Sequence, residues 1–265
     1  MEFTGTAAPL SAACLEQLSA SLDTDLPSLW AVMTVETSGC GYLPDRRPKI
    51  LFERHVFSDL TKHRHDAGFP DISNRTPGGY GASGANQYLR LERAMALDRT
   101  AAMLATSWGL GQVMGFNADR AGYPGVDAMV AAFLESEDRQ IEAMGSFIRG
   151  KNLAGALRHG DWTEFARQYN GANYRANDYD GKLARYHARY VTGPLPDLQV
   201  RAVQMGLTLL AVPGVPSPGM VDGWYGEATQ HAVLAFQLAF QLPPTGLPDS
   251  ATMQQLRKSL GWPAA

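Results

Sequence analysis

A seven-residue stretch, VTGPLPD at 191–197, divides this chain into two unlike parts. Its glycine and two prolines cannot continue a helix, because proline lacks the amide donor and its ring clashes with the preceding turn. Charge changes abruptly there: 20 basic and 22 acidic side chains precede residue 191, and three and four follow it. The seam reads as a short, semi-rigid linker at 191–196 between a larger module, 1–190, and a small, nearly uncharged one, 197–262. A chain of 265 residues is long enough for two such modules.

Composition narrows the class. The chain is 45% hydrophobic, enough for a sizeable core. A net charge of −3 argues against a nucleic-acid binder, which needs a basic face for phosphates. No apolar run approaches the ~18–20 residues that span a bilayer, so no membrane insertion is expected. The start, MEFTGTAAPLSAACLEQL, lacks the basic flank and continuous apolar stretch of a secretory signal. Cys14 and Cys40 are the two cysteines, so disulfides do not frame the fold; two reduced thiols are expected, with a single bridge as the alternative.

Helical apolar spacing runs over 10–22 and 26–38, with Thr24 and Asp25 as cap candidates and Gly39 and Gly41 as stops. Residues 48–53 form the best strand candidate, and 66–84, with five glycines and two prolines, a surface loop. Further helices fit 85–97, 99–106, 126–150 with a break, 153–159, 162–169 and 176–190. The fold class is α+β, mostly helical, with a minor β-sheet.

Glu36 stands out. It shares a helical face with Leu29, Val32 and Met33, so its carboxyl is drawn to the border of the core. Desolvation and the negative end of the helix both raise a carboxyl pKa there, as general-acid catalysis requires. The bland alternative is a glutamate at a helix end that reaches solvent.

Four runs decide between them. AVMTVETSG at 31–39 resembles the glutamate-bearing helix end of the lysozyme-like superfamily. TSWGLGQVMG at 106–115 resembles its Gly-Leu-Met-Gln-Ile-Met loop, and Tyr169-Asn170-Gly171 its Ala-Tyr-Asn-Ala-Gly element. RRPKILFERHVF at 46–57 is more specific and is similar to the N-acetylmuramidase family of phage endolysins, over residues 25–190. The resemblance implies a lysozyme-like fold and cleavage of the β-1,4 bond between N-acetylmuramic acid and N-acetylglucosamine in peptidoglycan. Glu36 would then protonate the leaving oxygen, and Glu53, kept ionised by Arg54, would serve as second carboxylate. The alternative for Glu53 is a structural ion pair with Arg54, Arg46 or Arg47. By the same resemblance Ser107, Gln112, Tyr169 and Asn170 line the sugar groove, while Trp30 and Trp108 are assigned to the core.

After the seam, Leu198-Gln199, DGWYG at 222–226, Thr229, Phe236-Gln237, Thr245-Gly246, Asp249 and Thr252 resemble a three-helix peptidoglycan-binding module. Val233, Phe236 and Phe240 make a helical stripe suited to a core. The exposed turn holding Asp222, Trp224 and Tyr225 is the candidate wall contact, and tethering would raise local substrate concentration.

The resemblance implies no cofactor and no metal, peptidoglycan glycan strands as the partner, and a monomer. The expected location is the host cytoplasm, with access to the periplasmic wall after membrane disruption by another protein. Two other readings stay open: a lytic transglycosylase forming 1,6-anhydromuramic ends, which needs no second carboxylate, and a non-catalytic wall-binding protein. The nucleotide-loop-like run at 145–151 is rejected because Asn152 replaces the required Ser or Thr. His63 and His65 lack a third ligand at zinc spacing.

Overall fold

The computed structural model describes residues 2–37, 39–171 and 174–263. Helix α1 (Ala12–Leu22) begins at Ser11, whose hydroxyl accepts the Cys14 amide, and ends in a left-handed Asp23. Helix α2 (Leu26–Thr37) is capped by Asp25, which accepts the Ser28 amide at 2.9 Å. Leu29, Trp30, Ala31, Val32 and Met33 are all buried, so α2 has no polar stripe through its middle and runs inside the domain. The one-faced reading of this helix understated its burial.

The expected strand at 48–53 shortens to β1 (Ile50–Phe52). Helix α3 (Arg54–Leu60) follows at once, an element that no cap signal announced: Glu53 holds the N-cap position without a side-chain cap bond. Helices α4 (Ala85–Leu97) and α5 (Arg99–Leu104) meet at Asp98, whose carboxylate caps the second. The chain then forms β2 (Thr106–Trp108) and β3 (Val113–Met114). The three strands make an antiparallel sheet in order β1-β2-β3, pairing Ile50 with Trp108 and Ser107 with Met114.

Helix α6 (Val126–Glu135) and helix α7 (Glu137–Gly150) divide at Ser136, where the expected break falls; its hydroxyl accepts the Arg139 amide. Helices α8 (Ala154–Arg158), α9 (Trp162–Tyr169) and α10 (Tyr179–Thr192) complete the larger module, and α10 packs along α2. Beyond the seam, α11 (Leu198–Leu210), α12 (Glu227–Ala239) and α13 (Ser250–Leu260) form the small three-helix module.

Four apolar clusters hold this together. One gathers Phe52, Phe57, Trp108 and Phe133 around the sheet. A second joins α2 to Leu183 and Tyr190 of α10 and to Phe165 of α9. The small module has its own centre in Val203, Val233, Phe236 and Leu256, with Phe240 packed on it, as the stripe implied. The remaining cluster crosses the seam: Ala7, Ala8, Cys40 and Tyr42 pack with Met205, Leu209, Leu260 and Trp262. Burying one such large side chain contributes roughly 1.5–3 kcal/mol. The small module is thus packed on the larger one and does not hang from it. No helix among the described residues is long and apolar enough to cross a membrane. Cys14 and Cys40 are free and buried, and burial pushes their thiols up to about 12 and about 11.

Candidate active site

Glu36 lies in the last turn of α2, with its side chain enclosed by protein but still open in part to the surface. Desolvation raises its pKa to about 7, and the Asn170 amide, donating to Oε1 at 2.7 Å, offsets only part of that. This carboxyl therefore keeps its proton to a higher pH than an ordinary glutamate does. Asn170 follows α9 directly, so the end of that helix delivers the amide to the end of α2 across 134 residues of sequence.

Sequence reasoning missed what steadies this helix end. Lys49, half-buried at the start of the sheet, donates from Nζ to the Thr37 carbonyl at 2.8 Å. A cation there satisfies a free helix carbonyl and complements the negative helix end. The Lys49 carbonyl in turn accepts from Gly109 and from the Gln112 side chain. Lys49 stands inside the family-like run at 46–57, yet nothing in that spacing points its ammonium at α2.

Glu53 stands at the turn from β1 to α3. Its surroundings correct the sequence reading: Arg54 donates to the Thr76 carbonyl, Arg47 pairs with Asp45, and Arg46 reaches the Leu260 carbonyl. None of the three neutralises Glu53. The groups that face it are His55, Tyr80 and Arg90, and His55 Nδ1 lies 3.1 Å from Oε2, although not aligned as a hydrogen bond. Burial outweighs these partners and raises the Glu53 pKa, where Arg54 was expected to hold it down. Tyr179, at the start of α10, lies close enough to feel the charges of both Glu36 and Glu53, and burial foremost pushes its phenol up to about 12.

The remaining groove candidates are tied to one another. Ser107 donates to Gln112 Oε1 at 2.9 Å, and the Gln112 amide donates to the Gly109 and Lys49 carbonyls. Gln112 itself sits at φ 46°, a left-handed conformation fixed by these bonds. Tyr169 donates to the Gly111 carbonyl at 2.6 Å and stacks on Phe165. The glycines of this loop serve packing: a Cβ on Gly109 would meet Gln140 at 2.7 Å. Trp30 and Trp108 are in the core as expected.

The turn at 222–226 is less exposed than the sequence suggested. Asp222 accepts from Gln204 and from the Trp224 amide, and Trp224 packs half-buried on the larger module under the Arg189 guanidinium, 5.1 Å from the ring centre. Tyr225 remains exposed, its hydroxyl bonded to the Gly246 carbonyl. A groove of about 1170 Å³ runs along the seam between Pro9, Leu198, Met253, Arg257 and Trp262 and does not include Glu36 or Glu53.

A largely enclosed glutamate of raised pKa at a helix end, beside a small antiparallel sheet in a helical domain, is the build of a glycoside-cleaving enzyme of the lysozyme-like kind. The family profile described as N-acetylmuramidase matches residues 25–191, and that of the peptidoglycan-binding domain matches 197–256. The chain belongs to the N-acetylmuramidase family. A solved structure described as the Burkholderia AP3 phage endolysin is 41% identical, with a TM-score of 0.62 over 69% of this chain and 71% of that one. Comparison with curated proteins gives no match.

Proposed function

We propose that this chain is a phage endolysin that hydrolyses the β-1,4 bond between N-acetylmuramic acid and N-acetylglucosamine. Glu36, in its protonated form, donates to the glycosidic oxygen as the C1–O bond breaks. Glu53, when ionised, stabilises the oxocarbenium-like sugar or takes the proton of the attacking water. Ser107, Gln112, Tyr169 and Asn170 belong to the glycan groove, and Asp222, Trp224 and Tyr225 to wall recognition by the second module. The observation that carries this reading is the Glu36 carboxyl at about 7, raised by burial and opened to the surface. The enzyme would act as a monomer from the host cytoplasm, reaching the wall after another protein opens the membrane.

One observation favours a transglycosylase instead: burial also raises Glu53, which weakens its case as a base. That reaction lets the muramic C6 hydroxyl attack C1, with Glu36 as acid and then base. Mass spectrometry of borohydride-reduced fragments from digested peptidoglycan separates the two. Reducible muramic ends support hydrolysis, anhydromuramic ends support transglycosylation, and intact glycan overturns both. Glu36→Gln should lower turnover by roughly 10²–10⁴-fold while binding to purified walls persists. Because the protonated form is active, kcat/KM should fall as pH rises through about 7.

A further inference from the structure

The turn that follows Glu36 is held from the other module. Arg201 of α11 is almost wholly buried and donates from Nε to the Gly39 carbonyl at 2.7 Å. Its two terminal nitrogens grip Glu137 at 2.6 and 2.7 Å. The same carboxylate accepts the Gly41 amide at 2.9 Å and the Leu10 amide at 3.0 Å. Gly41 accepts the Lys49 amide, and Lys49 returns its ammonium to Thr37 beside Glu36. Gly39, at φ +99°, passes so close to the small module that a Cβ there would meet the Val221 carbonyl at 2.4 Å.

We propose that Arg201 is a positioning residue for the acid: it reaches across the seam to fix the turn ending the Glu36 helix, making the second module a working part of the active site. The proposal rests on the reading of Glu36 as the general acid. A tether would need no such contact. An ion pair this deep is a poor source of stability, since desolvating two charges offsets most of their attraction, but its forked geometry admits one arrangement. That arrangement sets how closely the end of α2 is closed against water, and so how far Glu36 is desolvated.

Besides the Lys49 ammonium on the Thr37 carbonyl, the groups facing Glu36 carry no charge at neutral pH. Asn170 and Tyr169 approach from α9, and Tyr179 from α10. Both phenols titrate well above neutrality, so all three are uncharged there. Arg201 acts on Glu36 through the backbone it holds.

The test is Arg201→Lys in the full chain, which keeps a cation for Glu137 but loses the forked grip and the Nε bond to Gly39. The Glu36 carboxyl is followed by carbon-13 NMR in glutamate-labelled protein, assigned by the signal lost in Glu36→Gln. A fall of about one pH unit in its midpoint, with lower kcat and unchanged KM on soluble glycan fragments, supports the proposal. An unmoved midpoint and unchanged kcat, with only a lower melting temperature, overturn it. Should the lysine variant not fold, Arg201→Gln combined with Glu137→Gln leaves no unpaired buried charge and is judged by the same two readouts. A wild-type chain whose Glu36 titrates near 7 yet releases no muramic ends overturns the muramidase reading alone.

Discussion

Glu36 and Glu137 are both closely surrounded by protein, and desolvation works against the charged form of each. Their protonation goes opposite ways. Glu137 receives a bidentate guanidinium and two backbone amides, which hold it below the usual carboxylate range despite burial. Glu36 receives one neutral amide and rises to about 7. Burial sets the stakes; the donors supplied decide the charge. The Gly41 amide that Glu137 accepts lies just beyond the end of the Glu36 helix, so this fold builds a fixed anion and a labile acid along one stretch of backbone.

The largest effect should come from breaking the fixed side. Arg201→Met leaves Glu137 buried without its counter-charge and should cost about 3–5 kcal/mol, read by denaturant unfolding at pH 7. The loss should shrink in acid. Glu137 has a lowered folded pKa, so its contribution is present above the ordinary carboxylate value and disappears as pH falls through the folded one.

The labile side predicts the reverse sign. Glu36 has a raised folded pKa, so its contribution is complete below the ordinary 4.5 and is lost as pH climbs through about 7. Glu36→Gln should therefore stabilise the chain above that pH by on the order of 3 kcal/mol, while removing activity. Thermal unfolding of both proteins at pH 5 and pH 8.5 checks this, and equal shifts at the two pH values would break the comparison. The smallest change expected is at the amide. Asn170→Ala removes the one group among the described residues that lowers the Glu36 pKa, so the alkaline limb of the kcat/KM profile should move up by about one unit.

Much of this was legible in the chain because it is local. Eight helical spans are legible from periodicity and stops, Gly39 included, since a 3.6-residue pattern and its stops are written in consecutive residues; that 126–150 breaks at Ser136 is not. Glu36 was found by its position after an apolar run. Helix α3 was not, because it starts directly from a strand with Glu53 making no cap bond. The site's couplings were hidden for a different reason. Asn170 meets Glu36 across 134 positions and Arg201 meets Glu137 across 64, and no spacing rule links residues that only tertiary packing brings together. The error over Arg54 has the same origin: adjacency in sequence placed a charge beside Glu53, while the helix turned that side chain toward Thr76.

The cluster of Ala7, Cys40, Tyr42, Met205 and Trp262 carries a consequence for recombination. Cutting at the linker and exchanging the second module would treat the pieces as beads on a string. Severed at 191–196, this chain would uncover an apolar patch on each half, and a foreign head would leave Tyr42 wet and Glu137 unanswered. The breakpoint visible in the sequence is not a breakpoint in the core; an exchangeable cassette here must carry the matching surface of its neighbour.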